Sequence, residues 1–185
     1  MFKKAWWLGL FFLVSPSLQA MDDLILPLQQ IIPLAGVENI DWKVGDWTEY
    51  RLSMSFLKGK LIKKCTQNEG ISVWLETKME LPIGNQLILA QIRKSDGKIL
   101  KLIVNGREQE IKQPKYTIIS QEAETVTVPA GTFQTIHLLL RDEENRDTNV
   151  WINPRDIALE GMVKTVTEQQ FGTVTLELTR FGHGA

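Results

Sequence analysis

Ile71-Ser72-Val73-Trp74-Leu75-Glu76-Thr77-Lys78-Met79-Glu80-Leu81 is the stretch that decides the fold. Ile71, Val73, Leu75, Met79 and Leu81 share one face, with Thr77 among them. Ser72, Trp74, Glu76, Lys78 and Glu80 share the other. Successive side chains of a strand point to opposite faces, so this alternation reads as a strand with one buried and one wet face. Trp47 to Phe56 repeats the pattern: Tyr50, Leu52, Met54 and Phe56 on one side, Trp47, Glu49, Arg51, Ser53 and Ser55 on the other.

Working outward, the same period recurs. Gln86 to Arg93 and Ile99 to Val104 flank Ser95-Asp96-Gly97-Lys98, a hairpin signal, and Asn105-Gly106 is another. Glu124 to Val128 runs into Pro129-Ala130-Gly131, and Thr132 to Leu140 continues beyond it. Asn149 to Ile152, Gly161 to Gln169 and Thr173 to Phe181 complete the set, with Phe171-Gly172 at the last turn. Lys58-Gly59-Lys60 and Asn68-Glu69-Gly70 sit where further turns are needed. The expectation is an all-β fold of roughly nine to eleven short strands in one strongly curved antiparallel sheet, because a flat sheet that wide is uncommon. No linker, repeat or low-complexity tract divides it, so residues 21–185 read as one domain.

The chain has 185 residues, 21 Lys and Arg against 22 Asp and Glu, a formal net charge of −1 and a hydrophobic fraction of 43%. That fraction supports a real core and excludes a disordered chain. Near-neutrality removes the electrostatic case for a nucleic-acid binder. A single cysteine excludes a disulfide framework and every multi-cysteine metal site.

Met1 to Ala20 has the pattern of a secretory signal peptide. Lys3 and Lys4 form the positive region, Ala5 to Val14 the apolar run, and Ser15 to Ala20 the small-residue end. The apolar run is about half the roughly 20 residues that a membrane span requires. A cleavable signal implies export, hence a periplasmic protein with no transmembrane span after its removal. Cys65 lies in a polar stretch and reads either as a reactive thiol or as a small buried strand residue.

Asp22 to Gly36 has helical spacing at Leu24, Leu28, Ile31 and Ile32, interrupted by Pro27 and Pro33. A short N-terminal helical segment packed on the sheet is expected there.

Three segments together carry a resemblance: Gly45-Asp46-Trp47-Thr48-Glu49-Tyr50; Glu124-Thr125-Val126-Thr127-Val128-Pro129-Ala130-Gly131-Thr132-Phe133; and Val150-Trp151-Ile152-Asn153-Pro154 with Leu159 to Lys164 and Leu176 to Gly182. In this order, behind a signal peptide, they resemble a poorly characterised group of periplasmic β proteins similar to the lipoprotein-localisation carriers LolA and LolB. The resemblance implies an unclosed barrel wrapped around a helix or apolar plug. Lining candidates for an apolar ligand (lipid, acyl chain or lipoprotein) on its concave face are Tyr50, Leu52, Met54, Phe56, Val73, Leu75, Met79, Leu100 and Leu102. The same residues also suit a filled core, which leaves open a second reading as an interaction or assembly module of the cell envelope. Trp47 and Trp74, on the wet faces, are then the candidate partner surface.

Catalytic chemistry finds no constellation. His183 is in the terminal Gly182-His183-Gly184-Ala185 run. His137 shares a face with Phe133, Thr135 and Leu139, with no acid beside it in its own strand. Ser53, Ser55, Ser72 and Ser120 lack elbow glycines and a neighbouring histidine. Asp142-Glu143-Glu144-Asn145-Arg146-Asp147 is rich in oxygen ligands but lacks calcium-loop spacing, and reads as a solvated hairpin. Lys58, Lys60, Lys63 and Lys64 read as one basic patch or as edge protection. The expectation is therefore a non-enzymatic protein with no cofactor and no metal.

Overall fold

The computed structural model describes residues 42–54, 57–111, 115–169 and 172–184. The expected signal peptide, the helical segment Asp22 to Gly36 and the lining candidate Phe56 lie outside them.

The described residues form eleven strands and no helix: β1 (Trp47–Met54), β2 (Leu57–Asn68), β3 (Ser72–Leu81), β4 (Gly84–Arg93), β5 (Ile99–Val104), β6 (Arg107–Glu108), β7 (Tyr116–Val128), β8 (Gly131–Asp142), β9 (Asp147–Ile152), β10 (Met162–Gln169) and β11 (Gly172–Gly182). They make one sheet in the order β6-β5-β4-β3-β2-β1-β11-β10-β9-β8-β7. Each neighbouring pair is antiparallel, and β6 and β7 remain as two edges. The sheet is thus half-barrel-like and not closed. The first and last of the described strands meet at its centre, where β1 pairs with β11 from Trp47 opposite Gly182 to Met54 opposite Val174.

Alternation does what the sequence predicts in β3, where Val73, Leu75, Thr77, Met79 and Leu81 are buried and Lys78 and Glu80 exposed. Ile71 lies just outside the strand and is exposed. In β5 a bulge opposite Gln91 and Ile92 shifts the pattern, so Ile99 and Leu102 are buried while Leu100 is only half-buried.

Two departures from the sequence reading concern β2 and β7. Lys58-Gly59-Lys60 is strand, not turn. Gly59 is needed there because a Cβ would meet the Glu80 carbonyl oxygen and Leu81 Cδ2, each at 2.5 Å. Strand β7 begins at Tyr116, well before Glu124. Thr117 to Thr125 are exposed on both faces, so no alternation marks them.

The β7–β8 hairpin extends past the end of β9 and folds back onto β11. Ala130 N–H donates to the Leu178 carbonyl at 3.0 Å. Phe133 meets Phe181 edge to face, with centroids 6.3 Å apart. The buried side chains divide into two clusters. The larger joins Tyr50, Leu52, Leu61, Met79, Leu176 and Leu178 to Val126 and Val128 of the returning hairpin. The smaller, over β3–β5, contains Val73, Leu75, Ile92, Leu102, Cys65 and Trp42.

Candidate functional site

The β9–β10 connection, Asn153 to Gly161, holds together the least ordinary chemistry of the described residues. A connection between strands normally runs over the surface. Here Ile157 joins the larger cluster, and Ala158 and Leu159 join the smaller one. The loop therefore wedges three apolar side chains between the two halves of the interior.

Local sequence builds this wedge. The Asn153 side-chain oxygen accepts from the backbone N–H groups of Arg155 and Asp156 at 3.2 and 2.9 Å, an Asx turn. The Ile157 N–H donates to the Asn153 carbonyl at 3.1 Å, and the Asn153 N–H to the Gly161 carbonyl at 2.7 Å. Leu159 is left-handed, with φ of 59°. For a bulky side chain that conformation costs about 1–3 kcal/mol and persists only where packing over-determines it. Gly161 follows at φ 75°, pressed against the Pro154 backbone.

Between those two residues stands Glu160, 1% exposed, whose Oε1 pairs with the Lys63 ammonium of β2, itself 3% exposed. On the inner face of β2, Lys63 falls between Leu61 and Cys65. Across the strands it lies opposite the buried Thr48 and Thr77. The second carboxylate oxygen of Glu160, Oε2, is buried and has no hydrogen-bond partner among the described residues. Tyr50 closes the group: its hydroxyl donates to the Met162 carbonyl at 3.0 Å. Burial first, and then the Glu160 charge, push that phenol well above its ordinary range, so it stays a donor.

The sequence reading of this region changes. Lys63 does not belong to a surface patch with Lys58, Lys60 and Lys64, because it points inward. Of the lining candidates, Tyr50, Leu52 and Met79 belong to the larger cluster, with Met54 packed against it. Val73, Leu75 and Leu102 belong to the smaller. The wedge lies between these groups. Nothing in the sequence marks Glu160 as Lys63's partner, 97 residues away; the available signal was a lysine at an inward position of an alternating strand.

Trp47 and Trp74 are both half-buried on the outer face. Trp47 lies over Gly182, where any Cβ would collide with its indole. Trp74 donates its indole N–H to Glu69 at 3.0 Å. Cys65 is fully buried, and burial raises its thiol above the ordinary range, which makes it an unreactive thiol. The acidic run 142–147 is folded on itself. Asp142 accepts from the backbone N–H groups of Glu144 and Arg146 and from the Arg146 guanidinium, and Asp147 takes Arg141 in a bidentate pair at 2.7 and 2.9 Å.

His137 does have acidic neighbours on its face, supplied by β7 rather than by its own strand. Glu122 is directly opposite, and Glu124 is two residues further on.

No protein-family model matches the chain, and no curated protein matches it. Among solved structures, it is similar to the hypothetical protein CT021 from Chlamydia trachomatis. The TM-score is 0.52 at 13% sequence identity, over 79% of this chain and 90% of that one. At that identity the likeness carries the fold alone.

Proposed function

We propose that this chain is a non-enzymatic binding protein of the bacterial periplasm, exported by the signal peptide at residues 1–20. Its concave sheet face takes an apolar ligand: a lipid, an acyl chain or a lipoprotein. The Asn153–Gly161 wedge fills that face in the unliganded state and leaves it on binding.

The observation that carries this reading is the Lys63–Glu160 pair. Two charges removed from water in a protein interior are rarely the most stable filling, and apolar residues of similar volume are often as good or better. A pair that ties a strained loop to the sheet suits a latch more than a permanent core. The resemblance to the LolA and LolB carriers points the same way. Binding itself would be burial, at about 0.8 kcal/mol per CH₂ withdrawn from water.

A second reading has its own support: six lining candidates, Tyr50, Leu52, Val73, Leu75, Met79 and Leu102, are fully buried. A permanently filled core would make the chain an interaction module of the cell envelope, with Trp47 and Trp74 on its partner surface.

The test is uptake of a fluorescent fatty acid, with native mass spectrometry of protein purified from the periplasm. The carrier reading expects a stoichiometric lipid, and faster uptake in Glu160→Gln, where the latch is weakened. Absence of uptake in both proteins overturns it in favour of the filled core. Trp74→Ala should then weaken partner capture.

A further inference from the structure

We infer that Glu122, Glu124 and His137 form a binding site for one divalent transition-metal ion, Zn²⁺ by the chemistry of its donors, on a solvent-exposed stretch of the β7–β8 hairpin. This inference is independent of what the concave face binds.

The three donors come from adjacent strands. His137 of β8 is directly opposite Glu122 of β7, and Glu124 follows two residues along on the same face. His137 Nδ1 is 3.1 Å from Glu124 Oε2 and 3.4 Å from Glu122 Oε1. Bonds of about 2.0–2.1 Å to nitrogen and oxygen in a tetrahedral Zn²⁺ site place the donor atoms about 3.3 Å apart. The two separations from the imidazole nitrogen are close to the edge of such a tetrahedron, and the three donor atoms all lie within 4.8 Å of one another.

The imidazole is oriented by groups outside the donor set. Its ring stacks on Trp151, with centroids 4.4 Å apart and planes inclined by 4°. Its Nε2 lies 2.9 Å from Asn149 Oδ1. A carbonyl oxygen only accepts, so Nε2 carries the proton. In the neutral ring Nδ1 is then a bare lone pair aimed at two carboxylates. Three electron-rich atoms converge there, and a cation resolves the conflict. An outward ring N–H held by a carbonyl is also the support that metal-bound histidines characteristically have. The Trp151 indole N–H donates to Glu124 Oε2 at 2.8 Å and so orients a second donor.

The site has three protein donors and is open to solvent, since Glu122 and Glu124 are 67% and 45% exposed in their side chains. Three donors with an open fourth position describe a site that can also receive a ligand atom from another molecule. One imidazole and two carboxylates suit Zn²⁺ among the available cations, because a hard ion such as Mg²⁺ prefers oxygen alone.

Chelator-stripped full-length protein titrated with Zn²⁺ alone, followed by calorimetry, tests the site. The expected result is one ion per chain with micromolar affinity. His137→Gln should abolish it, and Asn149→Ala should weaken it by about tenfold, as the loss of an outer-sphere partner does. His183→Gln should leave it unchanged, and Mg²⁺ should not compete. If His137→Gln fails to fold by circular dichroism, the surface pair Glu122→Gln with Glu124→Gln takes its place, with the same expected loss. The inference is overturned if the wild type binds no Zn²⁺, or if uptake survives removal of these donors. In that case the three side chains are a surface hydrogen-bonded cluster that holds no metal.

Discussion

Two ion pairs of similar chemistry sit on opposite faces of the same sheet. Lys63 and Glu160 are 3% and 1% exposed and meet inside. Arg51 and Glu177 are directly opposite each other on β1 and β11, meet outside at 2.6 Å, and are 52% and 21% exposed. The outer pair belongs to a cross-strand row that includes Lys164, 3.7 Å from Glu177, and Lys60, 3.8 Å from Glu80. Water competes for each of these charges and weakens every contact, so each pair contributes little and can be lost cheaply. Inside, water neither weakens the attraction nor solvates a charge left alone. Location, more than the identity of the partners, sets what each pair means to the fold.

The largest effect should come from breaking the inner pair on one side. Glu160→Ala leaves the Lys63 ammonium buried among Leu61, Thr48 and Thr77, and should cost about 3–5 kcal/mol in urea unfolding. The double variant Lys63→Met with Glu160→Met removes both charges and should be neutral or about 1–4 kcal/mol more stable than the wild type. A stabilised double variant that no longer takes up fatty acid would mean that the pair is kept for opening rather than for stability. A loss below about 1 kcal/mol in Glu160→Ala would place the pair in the same class as Arg51–Glu177 and erase the contrast.

Gly161→Ala should come next, at about 2 kcal/mol. Its φ of 75° disfavours any side chain, and the new Cβ would lie 2.5 Å from Pro154 Cα and 2.6 Å from Pro154 N. Strain of this kind falls on the wedge, so the variant should loosen Ile157 to Glu160 and leave β1–β6 intact. Hydrogen exchange would detect this as lost protection confined to β9, β10 and their connection.

Much of the sheet was legible because half-burial writes a period of two into the chain. Strand β3 is the clearest case, and the span of β5 is read without error from Ile99 to Val104. Strand β7 was mostly invisible for the converse reason: an edge strand exposed on both faces has no alternation to read. The site was less legible than the fold. Lining candidates on β1 and β3 could be named from alternation, but their partition into two clusters, with Ile157 in one and Ala158 and Leu159 in the other, could not. The Glu160 carboxylate meets Lys63 only because β9, β10 and β2 are brought together by the whole sheet. Likewise, the acids beside His137 became visible only when the β7–β8 register was fixed.

Between the two extremes lies Glu49, buried on the outward side of β1 yet paired with Arg180, Nη2 to Oε2 at 2.7 Å. The Arg180 hydrogen bond, aided by Thr179 and the Lys60 and Arg180 charges and opposed by burial, holds its carboxyl below the ordinary value of 4.5. A carboxyl lowered in the folded state binds a proton more readily when unfolded. Its contribution is therefore complete above the unfolded value and is lost as pH falls below about 4.5 towards the folded one. Glu49→Gln should flatten that acid limb of the stability profile while leaving the neutral region nearly level. An acid limb unchanged by the substitution would remove Glu49 from the intermediate position.

The smallest effect should belong to Arg51→Ala, about 0.5 kcal/mol at low salt. Both side chains keep contact with water, and Glu177 retains Lys164 as a second cation. Removing Arg51 therefore orphans nothing, unlike the removal of Glu160. The residual effect should shrink further in about 1 M salt, where charges are screened within about 3 Å. The Glu160→Ala loss should persist in the same buffer, because ions cannot enter the interior to replace the missing carboxylate. Combining Arg51→Ala with Lys164→Ala should cost more than the sum of the two single variants, since only then does Glu177 lose both of its cations. Additivity would mean that the two cations act independently and that neither stands in for the other.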